Sequence, residues 1–477
     1  MSNTTDNQPQ PVQLYRQIYQ RFRDAIANGN LEPGDRVPSI RALASEMNLA
    51  RGTVETAYQL LISEGYFVAR GPAGTIVCPR IKPAELTPQP ITPPVVQTAL
   101  LHTGELPKPL QLGLPALDAF PSKLWHRLAA RAMRQSQVQG LICADARGDA
   151  SLRAAIAGYL GISRGISCSP EQVFVVAGYR AGLDLICRSL LNVGDSCLVE
   201  NPGYFAAHDF MREAGANLVP VPVDQDGMVV DEGLKSAPDA RFAIVTPAHQ
   251  SPLCVSLSMA RRQALLAWAK AQESWIIEDD YDGEYRYQGR PLAPLKSLDA
   301  YDRVLYCGTF SKVLVPGLRL AYLVVPVAQI PRFTEVIGKM HSHCPPLWQV
   351  TTAQFIEQGH FARHLKKMRS LYSTRRSLLI DALTETFGER LRIDRRTGGM
   401  HIVVRLADGT NDKAVSLRAK SAGLSMQALS NWYISDEVEQ GWLLGFTNVN
   451  DRTQALALAQ QLALIIDEQP SINTDVG

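Results

Sequence analysis

The chain has 477 residues, 46% hydrophobic and 20% charged, with a formal net charge of +2. That is enough for two or three domains around a sizeable core, and the near-neutral balance does not by itself announce a nucleic-acid partner. Its eight cysteines form no Cys-x-x-Cys pair and no zinc-spaced cluster with histidine, which argues against a disulfide framework and against a metal site.

Residues 1–11 are polar, lack an apolar signal core and are expected to be disordered. No apolar run is long enough to span a bilayer, so a cytoplasmic protein is expected. From Val12, Leu14, Ile18, Phe22 and Ile26 recur at helical spacing and stop at Asn28-Gly29. Pro38-Ser39 opens a second helix with Ser39 as N-cap and Leu43 and Ala44 facing inward. A tight turn at Met47-Asn48-Leu49 leads to a third helix, about residues 50–64, with Val54, Ala57, Leu60 and Leu61 as its apolar face. Residues 66–69 and 75–77 read as a β-hairpin around Arg70-Gly71-Pro72-Ala73-Gly74.

Helices and hairpin in this order describe a winged helix-turn-helix. Its third helix would offer Arg51, Thr53 and Thr56 to the major groove. Ser39 and Arg41 are placed for phosphates, and Arg70 and Gly71 for the backbone or minor groove. The segment is only mildly basic and Glu55 sits on the proposed recognition helix, so on charge alone a small helical accessory domain competes with this reading.

Residues 79–110 are dense in proline and lack periodicity, the composition of a stiff, extended linker. From residue 111 to about 468 strands and helices alternate. A strand at 173–176 ends at Gly178-Tyr179-Arg180, where a glycine before a helix exposes backbone N–H groups to an anion. Further strands end at Asn201-Pro202-Gly203-Tyr204 and at Thr246-Pro247-Ala248-His249-Gln250. The apolar runs 276–277 and 304–306 look like buried strands of a parallel sheet. The first delivers Asp279, Asp280 and Tyr281, and the second Thr309, Ser311 and Lys312. Every polar cluster falls at a strand's carboxyl end, the pattern of one shared crevice.

A lysine after a buried strand can be desolvated into a nucleophilic amine. An aspartate on the neighbouring strand suits a cofactor with a protonated ring nitrogen. Together with a phosphate cup this is chemistry for pyridoxal phosphate, although a Ser-Lys pair taken alone is more often an ordinary solvated terminus. Residues 398–404 and 442–446 suggest a small C-terminal α/β subdomain closing on the crevice, and residues 469–477 a disordered tail.

The run PGDRVPSIRALASEMNLARGTVETAYQLLISEGYFVARGPAGTIV resembles the DNA-binding domain of the GntR family of bacterial transcription regulators. The resemblance implies that Ser39, Arg41, Arg51, Gly52, Thr53 and Gly71 serve on a double-stranded DNA operator. Many members carry a basic residue where Glu55 stands. Seven further motifs in order, among them RGDASLRAAIAGYL, VENPGY, TPAHQSP, IIEDDYDGEY and GTFSKVLVPGLR, resemble fold-type-I aminotransferases. The combination is similar to the MocR subgroup of the GntR family.

The implied architecture is an α/β multidomain chain: a winged helix-turn-helix, then an aminotransferase-like domain of mostly parallel sheet with a small α/β subdomain. The implied cofactor is pyridoxal 5′-phosphate. Lys312 matches the Schiff-base lysine, Asp279 the partner of the pyridine nitrogen, Tyr281 the phenol at the 3′-oxygen and Tyr204 the ring stacked on the pyridine. Gly178, Tyr179 (through its backbone N–H), Thr309, Ser311 and Arg319 match the phosphate cup, and Arg180 lies where glutamine is common. His249 and Gln250 match the subgroup's His-Gln pair. Ser251 stands where aminotransferases carry an asparagine, and SMQALSNWYISDEVEQGWLLGFTN lacks the arginine that grips a substrate carboxylate. These departures favour a regulator that senses a small amine or pyridoxal phosphate itself, with at most weak transaminase activity, as a head-to-tail homodimer. The alternative is an active aminotransferase with an autoregulatory DNA-binding module.

Overall fold

The computed structural model describes residues 11–79, 107–135, 145–289, 292–340, 344–406 and 410–467. The chain divides into two compact units, Met1–Gly104 and Glu105–Gly477. The expected disordered ends and most of the proline-rich linker lie outside the described residues. Pro11, placed by the sequence reading in the disordered leader, instead opens the first helix.

In the first unit α1 (Pro11–Ala27), α2 (Ile40–Glu46) and α3 (Arg51–Ser63) precede an antiparallel hairpin of β1 (Phe67–Ala69) and β2 (Thr75–Val77). Ser39 caps α2 by accepting from the Ala42 N–H at 3.2 Å. Asn48 makes the turn before α3 with φ +53°, a conformation asparagine tolerates. Ile18, Leu43, Val54, Ala57, Leu61 and Phe67 form the core. At its centre Phe22, Tyr58 and Phe67 meet edge to face, with centroids 5.1–5.6 Å apart. The Tyr58 hydroxyl donates to the Pro38 carbonyl at 2.7 Å, fastening α3 to the start of α2.

The second unit is built on an eight-stranded sheet. In chain order its strands are β3 (Val173–Val176), β4 (Ser196–Asn201), β5 (Asn217–Asp224), β6 (Gly227–Met228), β7 (Phe242–Val245), β8 (Trp275–Asp280), β9 (Val304–Thr309) and β10 (Ala321–Val324). The spatial order is β3-β10-β9-β8-β7-β4-β5-β6, with β9, β8, β7, β4 and β5 mutually parallel. Strands β3, β7 and β8 are buried at every residue, as strands covered on both faces must be. The chain turns back after Arg319 so that β10 runs antiparallel to both its neighbours, a strand the sequence pattern did not mark.

A second, antiparallel sheet follows, made of β11 (Leu391–Asp394), β12 (His401–Leu406), β13 (Gln427–Ala428) and β14 (Trp442–Gly445) in the order β11-β12-β14-β13. With the helices Asp412–Ser421 and Arg452–Asp467 it forms the expected small subdomain. The last residues of the expected linker already belong to this unit. The Pro109 carbonyl accepts from Ser425 N–H and the Leu110 carbonyl from Gly445 N–H, each at 2.9 Å, and Leu110 is buried in the core. Among the described residues no helix is long and apolar enough to cross a membrane.

Candidate functional site

Adjacent parallel strands bring the two chemical residues together. Asp279 pairs in register with Cys307, two residues before the end of β9, and Lys312 follows that strand by one turn of chain. Alternation along β8 sends its two terminal aspartates to different surroundings. Asp280 is tied to the buried Arg164 and accepts from the Tyr306 hydroxyl at 2.6 Å. Among the described residues Asp279 forms no such ion pair. Burial, reinforced by Asp280, pushes its carboxyl up to about 8, so it is largely protonated at neutral pH.

The Lys312 amine donates to the Gly113 carbonyl at 2.9 Å. Burial lowers its pKa against the pull of Asp282 and Asp279. Gly113 has φ +66°, and a Cβ there would collide with the lysine nitrogen. Sequence reasoning missed Gly113, because nothing local in QLGLPAL marks a contact made 199 residues away.

Gly178, with φ +97°, is the N-cap of the helix Tyr179–Leu190. The Arg319 guanidinium lies against it, about van der Waals distance from where a Cβ would stand. Arg319 is exposed and, among the described residues, has no carboxylate partner. Thr309 Oγ1 accepts from the Ser311 N–H at 3.1 Å, ordering the loop that leads to Lys312. Arg180 behaves differently. Its side chain is 61% exposed, pairs with Glu213 at 2.6 Å and stacks on Phe210, so only its backbone stays at the helix N-terminus.

The Tyr204 ring is 6.3 Å from that of Tyr179 and 6.0 Å from Trp432. Burial and then Asp279 raise the Tyr204 pKa, which puts the ring within electrostatic reach of the acid. The Tyr179 hydroxyl is buried without a well-formed hydrogen bond. Tyr281 Oη lies 3.1 Å from His249 Nδ1. Gln250 is wholly buried, donates to Glu200 at 3.2 Å and to the Pro202 carbonyl at 2.9 Å, and fixes the loop ends of β4 and β7 to each other. The crevice therefore offers an anion seat at Gly178 and Arg319, a buried acid for a cationic nitrogen, and a nucleophilic amine.

In the first unit Arg41, Arg51, Gly52, Thr56 and Gly71 are exposed and Thr53 is half-buried. The Thr56 hydroxyl donates to the Gly52 carbonyl at 2.9 Å, which leaves its oxygen lone pairs outward. Ser39 keeps a hydroxyl proton after accepting from Ala42. Arg36 joins this surface unforeseen: a Cβ on Gly74 would stand 3.0 Å from Arg36 Nε, so the side chain lies along the wing.

Residues 14–77 match the gntR family of bacterial regulatory proteins, and residues 115–436 match the class I and II aminotransferases. Fold and site thus define a DNA-binding winged helix fused to an aminotransferase-class domain, whose implied cofactor is pyridoxal 5′-phosphate. The chain is 35% identical over 459 residues to a probable rhizopine catabolism regulatory protein, MocR, of Rhizobium meliloti, covering 93% of this chain and 92% of that one. It is 34% identical to the pyridoxine biosynthesis transcriptional regulator PdxR of Corynebacterium glutamicum, covering 95% and 96%. The kynurenine aminotransferase of Pyrococcus horikoshii, solved with PMP, superposes with a TM-score of 0.69 at 30% identity, over 75% of this chain and 90% of that one. The chain belongs to the MocR-type regulators of the GntR family.

Proposed function

We propose that residues 12–78 read an operator and that residues 111–468 hold pyridoxal 5′-phosphate and sense a small amine, or the cofactor itself. The observation that carries this reading is the convergence of Lys312, Asp279 and the Gly178–Arg319 seat on one crevice. The donor set suits that cofactor chemically. Backbone N–H groups at the start of the helix Tyr179–Leu190, the Arg319 guanidinium and the hydroxyls of Thr309 and Ser311 would hold a phosphate. Asp279, kept protonated by burial, would regain its charge beside a protonated ring nitrogen. Tyr204 would cover the ring and Tyr281 would face its phenolic oxygen.

When bound, pyridoxal phosphate supplies an aldehyde carbon open to primary amines. Lys312, whose pKa burial lowers, is the chain's own amine for that carbon, and Gly113 orients its nitrogen. The segment 425–448 contributes Trp432, packed on Tyr204, and no arginine, so a carboxylate grip of the aminotransferase kind has no guanidinium there. An effector acts only through its different affinity for two states of the protein. The working form is a head-to-tail homodimer in the cytoplasm.

The test has two readings. Pyridoxal phosphate titrated into the purified chain gives a saturable change in visible absorbance that Lys312→Ala lacks. DNA selected from genomic fragments is then bound with an affinity that pyridoxal phosphate or an amine alters in the wild type but not in Lys312→Ala. A featureless titration, or an amine response undiminished in the variant, refutes the proposal.

A further inference from the structure

Beside the crevice lies a cluster that the cofactor reading leaves without a role. Cys254 sits in the loop between β7 and β8 with φ +59°, a left-handed conformation that favours glycine. It is held there with its Sγ 3.3 Å from His401 Nε2 on β12. That same nitrogen lies 2.9 Å from the Pro252 carbonyl. The His249 ring stands across from His401, centroids 6.3 Å apart. His249 Nδ1 is 3.1 Å from Asp282 Oδ1 and 3.1 Å from Tyr281 Oη, while its Nε2 is buried with no partner among the described residues.

A cavity of about 20 Å³ is lined by Cys254, His249, Ser256, Asp282 and Arg286, among others. It is too small for bulky electrophiles. Burial alone would push the thiol up, but His401 and His249 outweigh it and bring Cys254 down to about 6. A thiolate, not a thiol, is the reactive form of cysteine.

We propose that Cys254 is an oxidation site for hydrogen peroxide, with His249 as its proton acceptor and His401 as a hydrogen-bond donor beside the sulfur, and that the cofactor crevice registers the change through His249 and Tyr281. The His401 Nε2–H donates to the Pro252 carbonyl and lies against the sulfur, so the thiol gives its proton to His249 Nε2, the nitrogen left bare when Nδ1 faces Asp282. The sulfur then attacks one peroxide oxygen, so that an S–O bond forms as the O–O bond breaks. Sulfur is oxidised by two electrons and the peroxide is reduced by them. The departing hydroxide takes the proton from His249 and leaves as water, and the product is a sulfenic acid. The added oxygen fills the small cavity that Cys254 shares with His249, whose ring is already closely packed against Gly399. His249 must shift, and the Tyr281 hydroxyl with it. The oxidation step stands on its own chemistry; the link to cofactor affinity rests on the function proposed above.

The full-length protein, without added cofactor, is treated with hydrogen peroxide for set times, the peroxide is removed with catalase, the chain is unfolded in dimedone, and its peptides are read by mass spectrometry. Cys254 is expected to label about tenfold faster than the half-buried Cys78 and Cys168, and His401→Asn to slow it by about tenfold. Labelling of Cys254 no faster than those two, or unchanged by His401→Asn, overturns the proposal. Cys254→Gly suits the left-handed backbone and gives a second, folded comparison. Peroxide is expected to weaken pyridoxal phosphate binding several-fold in the wild type and to leave that of Cys254→Gly unchanged. Equal loss in both, or in neither, overturns the link to the crevice. If untreated protein binds no pyridoxal phosphate, the function proposed above fails, and labelling alone decides the oxidation site.

Discussion

The amine of Lys312 donates to the carbonyl of Gly113, 2.9 Å away and 199 residues earlier in the chain. A methyl group on Gly113 would occupy the place of the lysine nitrogen, and the backbone there is left-handed, which costs a non-glycine residue about 1–2 kcal/mol. Gly113→Ala is therefore expected to displace Lys312 and weaken pyridoxal phosphate retention by about tenfold or more. Visible absorbance after gel filtration measures the retention, and circular dichroism checks the fold. Retention equal to wild type would show that the lysine needs no such support.

Acid strength in the crevice makes a second prediction. Burial, helped by Asp280, pushes Asp279 up to about 8, and burial pushes Glu200, Glu278 and Glu284 up to about 7. A carboxyl whose pKa is higher folded than unfolded holds its proton more tightly in the folded state. Its stabilising contribution is full below its ordinary value near 4 and is lost as pH rises through 7 to 8. Cofactor-free protein should thus melt lower at about pH 9 than at about pH 6, and Asp279→Asn should flatten the fall. Calorimetry across that range decides. A wild-type midpoint that holds or climbs contradicts the argument.

Arg164 and Asp280 form an ion pair with both side chains almost wholly buried. The guanidinium also donates to the Gly283 carbonyl at 3.0 Å, so it fixes the loop that carries Tyr281 and Asp282. Arg164→Met strands Asp280 as a buried charge and should cost about 3–5 kcal/mol. Adding Asp280→Asn should return part of that loss. Urea denaturation monitored by fluorescence gives both numbers, and additive losses in the double variant would rule out direct coupling.

On the DNA side, exposed Arg51 stands at the start of α3 while Glu55 lies one turn further. Arg51→Ala should lower operator affinity by about 1–3 kcal/mol if it reads a base, or reduce the salt slope by about one if it meets a phosphate. Glu55→Lys should raise affinity for unselected DNA and steepen the salt dependence. Binding isotherms at several salt concentrations separate these outcomes, and an unchanged Arg51→Ala isotherm removes α3 from the interface.

Much of this arrangement was readable from the chain. Ser39, Asn48 and the periodic Val54, Ala57 and Leu61 are local signals, and the helices and cap fell where those signals put them. Asp279 and Lys312 were paired by a topological rule, that neighbouring parallel strands open their carboxyl ends on one side. What stayed hidden depends on distant partners. Gly113 meets Lys312, Arg164 meets Asp280, and Cys254 meets His401 only after the sheet and subdomain have formed. Arg180 shows the reverse limit, since a position beside an anion seat does not decide where a long side chain turns, and Glu213 drew it outward.

Residues 109–113 join these threads mechanically. Pro109 and Leu110 are stitched to Ser425 and Gly445 of the small subdomain, and Gly113, three residues on from Leu110, is moored to Lys312. This short stretch is also where the chain coming from the winged helix enters the second unit. Drawing the lysine away from Gly113 would free one mooring and leave the other fast, so the two ends of this five-residue stretch answer to different partners: one to the small subdomain, the other to the amine in the crevice.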